Sequence, residues 1–359
     1  MIAVYILIAI LMFGLLIAVH EFGHFAAAKL MGVRVNEFAI GMGPRILHKK
    51  RGETEYTLRL FPIGGFCAME GEEEDSSDPR AMSNQPAWRR LIILVAGAFM
   101  NFVTGVLIFL LLSGSMTSFA TTTIESLTDG YPLKAEGQLL PSDQVLKIDG
   151  HQIYLQSDIG VFLNRGGETM DVEVLRYGQR VSLPQIPMPY LEKPMVNSEG
   201  NTQMVRVWGL SFVVKEATLF DKLQNAWYNI IDTVRLVWVS LGDLISGAVG
   251  IRDMSGPVGI TSIISQAGKS GGSLLGATLN IAYIVAFIAI NLAVMNLLPI
   301  PALDGGQILF LLVDKVYSLF SKRRINPKYL GYINMAGFFL LIALMVVVAV
   351  SDVLKQFGW

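Results

Sequence analysis

Four stretches of the chain are almost without polar positions. Met1 to Val19, Leu91 to Leu112 and Leu274 to Leu303 carry no charged side chain, and Ile333 to Ser351 completes the set. Crossing a hydrocarbon core of ~30 Å takes about 20 helical residues, so each stretch predicts a transmembrane helix. Between the first two, Tyr56, Leu58 and Leu60 alternate with Thr57 and Arg59. That period of two predicts a strand ended by Pro62 and the Gly64-Gly65 pair, so residues 53–69 are expected to form a hairpin, cytoplasmic or dipping into the membrane. Glu72 to Asp75 reads as a solvated acidic loop. From 119 to 195 short strand-like pieces alternate with turn signals: Val145 to Ile148 runs into Asp149-Gly150, and Tyr177-Gly178-Gln179 sits between two apolar-alternating pieces. From 218 to 250 apolar residues recur at 219, 223, 227, 230, 231, 234, 238 and 241, a helical stripe interrupted by Asp232, Arg235 and Asp243. With Trp227, Tyr228 and Trp238 suited to a headgroup interface, this predicts an amphipathic helix lying on the membrane surface rather than a fifth span. Ser255-Gly256-Pro257-Val258-Gly259-Ile260 is then expected to break any helix.

Composition agrees with the pattern. Of 359 residues 52% are hydrophobic and 16% charged, against about 25% charged in soluble domains. A net charge of -1 gives no basic field, which excludes nucleic acid as a partner. Cys67 is the single cysteine. Internal disulfides and cysteine-based zinc sites are therefore excluded, and Cys67 reads as a small packed residue. The first apolar stretch has no Lys or Arg before it and no small-x-small site, so it reads as a retained span rather than a cleaved signal. Basic residues cluster from Lys29 to Arg90 and again at Lys315, Lys322, Arg323, Arg324 and Lys328 in the segment after the third run, expected to be a loop, while the N-terminus has none and the tail only Lys355. The positive-inside rule then puts both termini, and residues 113–273, outside the cytoplasm.

The chemistry lies where the first span ends, in His20-Glu21-Phe22-Gly23-His24. Histidines four apart on a helix face one way and can share a metal ion, with Glu21 placed to take a proton from water. Ionisable residues in a membrane helix cost on the order of 3 kcal/mol or more and are functional by default. Catalytic zinc needs a third protein ligand. His48 lies in a basic stretch and His151 follows the Asp-Gly turn, and both read as surface residues. Asp304, after the third apolar run in Leu303-Asp304-Gly305-Gly306, is the better candidate; its plainer reading is a helix cap followed by glycines. Asn296 lies two turns upstream, where its amide either donates to a developing oxyanion or bonds a neighbouring helix.

Taken together these residues resemble the site-2 protease family of intramembrane zinc metalloproteases. The likeness rests on His20 to His24, on Asn296 through Asp304-Gly305, on Gly41-Met42-Gly43-Pro44 and on Phe61-Pro62-Ile63-Gly64-Gly65. Ala96-Gly97-Ala98-Phe99-Met100-Asn101-Phe102 matches less closely, with Ala98 where the family usually has proline. Residues 139–150 and the hairpin after them resemble a PDZ domain, though no glycine-rich carboxylate-binding loop stands out from Gly130 to Gly137. The implied fold is a polytopic α-helical membrane protein with four transmembrane helices, an inserted α+β PDZ-like domain and a membrane-associated β-hairpin. Its expected divisions are 1–116, 117–215, 216–272 and 273–359. The resemblance implies one Zn2+ held by His20, His24 and Asp304, Glu21 as catalytic base, and Asn296 in substrate or oxyanion contact. It implies cleavage inside the membrane of single-span proteins, releasing a cytoplasmic product, with the site near the cytoplasmic face of the inner membrane. An unwound substrate is expected to pair with the strand bearing Tyr56, Leu58 and Leu60, because hydrocarbon cannot satisfy its backbone. Two rival readings are a membrane-anchored zinc protease acting on soluble peptides, and a PDZ-bearing receptor or transporter, which would have no need of Glu21.

Overall fold

The computed structural model describes residues 2–72, 76–128, 138–188, 190–196, 202–250, 254–321 and 327–356. The positions from Gly130 to Gly137, Glu73 to Asp75 and Lys322 to Arg324 lie outside them. In chain order the elements are helix α1 (Ile2–Leu30), strands β1 (Val35–Arg51) and β2 (Thr54–Met69), and helix α2 (Ala87–Ser115). Then come strands β3 (Ser118–Leu127), β4 (Gln144–Ile148) and β5 (His151–Gln152), and helix α3 (Gln156–Leu163). Strands β6 (Thr169–Arg176), β7 (Gln179–Pro187), β8 (Leu191–Val196), β9 (Thr202–Val207) and β10 (Leu210–Glu216) follow. Helices α4 (Leu219–Ser246), α5 (Pro257–Ser270), α6 (Leu274–Asn296), α7 (Asp304–Ser321) and α8 (Pro327–Gln356) complete the chain.

Four helical segments are long and apolar enough to cross a membrane: Ile6–Leu30, Ala87–Ser115, Leu274–Asn296 and Gly331–Lys355. They correspond to the four apolar stretches. α1 continues past Val19 to Leu30, so the His-Glu motif sits within an unbroken helix. Two helices depart from expectation. Ser255 and Gly256 lie outside helix as expected, but Pro257 to Ile260 begin α5, because Pro257 lies in the first turn, where its missing N–H is needed by no partner. Asp352 of α8 accepts from the N–H groups of Gly256 (2.8 Å) and Gly259 (2.9 Å), which supplies the cap. The segment after the third span, expected to be a loop, forms α7, because the chain reverses tightly at 297–303 and re-enters helix at Asp304.

The chain divides into two compact units, Met1–Ile108 with Thr233–Trp359, and Phe109–Asp232. In the first, β1 and β2 form one ribbon that folds on itself. Positive φ at Gly41, Gly43 and Gly64 marks the bends, and Pro62, without an N–H, leaves the ladder there. Strand β2 therefore runs on through Pro62 and Gly64-Gly65 rather than ending at them. The turn of the hairpin lies at Gly52-Glu53, between the two strands. Residues 37–40 pair with 65–68 on one side and 55–58 on the other, and 47–51 pair with 54–58. The spatial order is thus 65–69, 35–40, 54–58, 47–51. The Pro62 carbonyl packs against Gly14 of α1, and Gly65 lies beside Ile17 and Glu21, so β2 runs along the first span.

The second unit is built on a sheet of order β10-β3-β4-β6-β7, with β5 paired to β4. The Asp149-Gly150 and Tyr177-Gly178 turns both have positive φ at both residues, the geometry of tight two-residue hairpins. On β6, Met170, Val172 and Val174 alternate inward and are buried, as are Ile159 and Phe162 of α3. Beneath this core Arg176 donates two bonds to the fully buried Asp143, at 2.8 and 2.7 Å, and a third to the Gln138 carbonyl. The carboxylate raises the guanidinium's already high pKa further. Replacing Arg176 by Met is expected to leave Asp143 uncompensated and to cost this unit about 3 kcal/mol or more. Hydrogen exchange of the β4 and β6 amides in the full chain measures it, and rates equal to wild type would contradict the assignment.

Candidate active site

The site begins where α1 meets α2. Gly23 lies so close to the Ala96 carbonyl that any side chain there would overlap it, and at Gly97 an added Cβ would overlap His24 Nε2 and stand 2.7 Å from His20 Cε1. Each glycine thus removes a side chain where the other helix needs the space, the small-residue contact by which membrane helices approach closely. The closeness brings His24 Nδ1 to 2.8 Å from the Ile93 carbonyl. Nδ1 then carries the proton and donates it, leaving the lone pair on Nε2 for a metal. His24 is buried, and its ring stands at 86° to that of His20.

Asp304 reaches the pair from the start of α7. Gly305 and Gly306 pack against the carbonyls of Leu298 and Ile300, which closes the 297–303 reversal and points the first side chain of α7 back at α1. Helix start and ligand are therefore compatible readings of one residue. His20 Nε2 and His24 Nε2 lie 3.3 and 3.4 Å from Asp304 Oδ2 and 3.2 Å from each other. Donors about 2.0–2.1 Å from a tetrahedral zinc are separated by about 3.3 Å, so this near-equilateral triangle is one face of such a tetrahedron. Asp304 Oδ2 is buried and accepts no hydrogen bond, an expensive state for a carboxylate unless a cation meets it. The donor set fits zinc. Among the described residues, these three are also the only cluster of histidine, cysteine or acidic side chains able to hold a metal.

The triangle opens into a cavity of about 730 Å³, which Glu21 and Gln307 line together with residues 66–72. Asn296, the last residue of α6, brings its amide Nδ2 to 3.5 Å from His20 Nδ1. Structure thus gathers His20, Glu21, His24, Asn296 and Asp304. It does not bring the three ribbon residues to the site. Tyr56 pairs with both Phe38 and Lys49, and Leu58 with both Ile40 and Leu47, so neither has a free backbone edge; Leu60 follows them, exposed. Over 55–58 β1 lies on both sides of the strand at which an extended chain was expected to pair. Residues 65–69 pair on one side only, with 35–40, and Phe66 to Met69 face the cavity. His48 is exposed on β1, and the exposed His151 stacks on Phe162 in the other unit. The Ile93 carbonyl and the Gly23–Gly97 contact escaped sequence reasoning, the first because a backbone acceptor has no signature, the second because two separated glycines reveal no contact.

A family model described as Peptidase family M50 matches residues 8–344. The chain belongs to that family. Among its relatives, proteins of Clostridium perfringens and Fusobacterium nucleatum, both provisionally named zinc metalloproteases, are 36% identical over 354 residues and 34% over 364. The alignments cover 98% of this chain in both cases, and 98% and 99% of those proteins. The regulator of sigma-W protease RasP of Bacillus subtilis is 26% identical over 432 residues, covering 97% of this chain and 98% of that one. This M50 peptidase is a zinc metalloprotease of the site-2 protease type, and its four apolar helices make it a multi-pass membrane protein. Gly97→Ala is expected to push the imidazoles apart and lower zinc affinity about 10–100-fold, the order seen when groups supporting a metal site are lost. Zinc titration of the helical, detergent-solubilised variant tests this; full zinc content at wild-type affinity would refute it.

Proposed function

We propose that this M50 peptidase hydrolyses peptide bonds within the membrane-spanning segments of single-span proteins. The observation that carries the reading is the His20–His24–Asp304 triangle, set between apolar helices and open to a cavity edged by a strand. His20, His24 and Asp304 hold the zinc. When bound, zinc supplies a Lewis acid that polarises the scissile carbonyl and acidifies water. Glu21, on the helix turn between the two histidines, takes the proton from the attacking water; its oxygen joins the carbonyl carbon, the C–N bond breaks, and Glu21 returns the proton to the leaving amine. Asn296 contacts His20 at the same site, and its amide serves in substrate or oxyanion contact.

A helical peptide bond is shielded by its own hydrogen bonds, so the substrate must unwind, and an extended chain in hydrocarbon needs partners for its backbone. The side of 65–69 that faces no other strand supports pairing within the cavity, the Met69 N–H exchanging the Glu72 carboxylate for the substrate, whereas 55–58 has β1 on both sides. Basic residues between Lys29 and Arg90 favour placing this end of the site at the cytoplasmic face of the inner membrane, with both termini and residues 113–273 on the other side. The antiparallel sheet with its helix α3 supports reading that unit as PDZ-like, acting on the outer part of substrates.

The deciding experiment incubates purified protein with single-span substrates in bicelles and maps the products by mass spectrometry. Wild type is expected to cut within the span, and Glu21→Gln to bind zinc while losing about 10²–10⁴-fold in turnover. Undiminished cleavage by Glu21→Gln, or cleavage by wild type of soluble peptides only, would sink the reading. Strand pairing has its own test. A proline scan around the scissile bond is expected to block cleavage at alternate positions, since every second N–H faces a paired edge; uniform tolerance of proline would rule the edge out.

A further inference from the structure

The buried stripe of α2 runs through Leu94, Gly97, Ala98, Asn101, Gly105 and Phe109, at helical spacing. All but one are apolar or lack a side chain. Asn101 is 1% exposed, and its Oδ1 is buried without a hydrogen-bond partner. A buried orphan acceptor on a membrane helix is costly, and the residues around it show what it serves. One turn before it, Gly97 touches both imidazoles; one turn after it, Gly105 packs on Ala286 and Ile290 of α6. Asn296, level with His20, closes the same helix. The two helices therefore run in opposite directions past each other. Side chains lean toward the N-terminus of their own helix, so Asn101 leans toward the level of Gly97 and Asn296 toward Asn101.

His20 joins the donor triangle through Nε2, so its proton belongs on Nδ1. That N–H meets an amide nitrogen, Asn296 Nδ2, at 3.5 Å, donor against donor. Turning the Asn296 amide through 180° puts Oδ1 on the Nδ1–H and sends the two N–H groups of Nδ2 away from His20, where they need an acceptor.

We propose that Asn101 is a positioning residue for the metal site: its Oδ1 accepts from the Asn296 amide, which fixes Asn296 Oδ1 on His20 Nδ1–H and keeps the lone pair of His20 Nε2 for zinc. The relay does for His20 what the Ile93 carbonyl does directly for His24. Such supporting hydrogen bonds orient a ligand imidazole and typically change metal affinity 10–100-fold.

The test uses the full chain in detergent without proteolysis, so its outcome is separate from that of the cleavage reading. With ¹⁵N-histidine label, the four histidines are assigned by single substitutions. In the zinc-free wild type, His20 is expected to carry its proton on Nδ1. Asn101→Leu, and Asn101→Ala should Leu prevent folding, is expected to shift His20 toward the Nε2–H tautomer and to weaken zinc binding about 10-fold or more in chelator competition. Asn296→Asp provides an acceptor for Nδ1–H that needs no orienting, so adding it to Asn101→Leu is expected to restore both readouts. An unchanged His20 tautomer in folded Asn101→Leu and Asn101→Ala, or a double variant as weak as the single one, would overturn the relay.

Discussion

A carboxylate oxygen with no hydrogen bond, held 3.3 and 3.4 Å from two imidazole nitrogens inside a bundle of apolar helices, organises this protein. Burying that charge is unfavourable unless a cation meets it, and three donors spaced as a tetrahedral face define where the cation sits. Much of the surrounding structure serves to bring these atoms together. α1 supplies two donors one turn apart, and the reversal at 297–303 aims the third back at them.

Close approach is secured by removing side chains. Gly23 and Gly97 let α1 and α2 touch at backbone distance, and Gly305 and Gly306 let α7 start against the turn before it. The same contact that admits the imidazoles also brings the Ile93 carbonyl within reach of His24. Packing and tautomer are thereby linked: moving the helices apart would loosen the ligand and free its proton to sit on the wrong nitrogen.

The ribbon answers a different constraint. Its strands run beside a membrane-spanning helix, where unpaired backbone groups are expensive. Folding four stretches into one sheet satisfies the interior ones and leaves one side of 65–69 without a neighbouring strand, at the cavity, where Met69 N–H donates to Glu72 instead. On the proposed reading, that location is where an unwound chain would find both partners and chemistry.

Much of this was legible in the sequence, because the signals are local. Uncharged stretches of span length, His20 and His24 on one helical face, and Asp149-Gly150 as a tight turn each depend only on near neighbours, and all appear in the structure. Asp304 was reached by its place at the end of an apolar run. What lay beyond reach depended on residues far apart in the chain. Tyr56 and Leu58 have the alternation of a half-buried strand, yet β1 covers both their edges, and no period in 53–69 encodes where 35–51 will fold. Pro257 looked like a breaker and begins a helix, because its role depends on whether its turn comes first or later. The residue types and spacings of the sequence alone therefore determined the spans, the metal-binding chemistry and the class of reaction. Tertiary structure decided which strand edge stays open, which carbonyl orients His24, and which glycines bring helices into contact, since each is a relation between surfaces that exists only once the chain has packed.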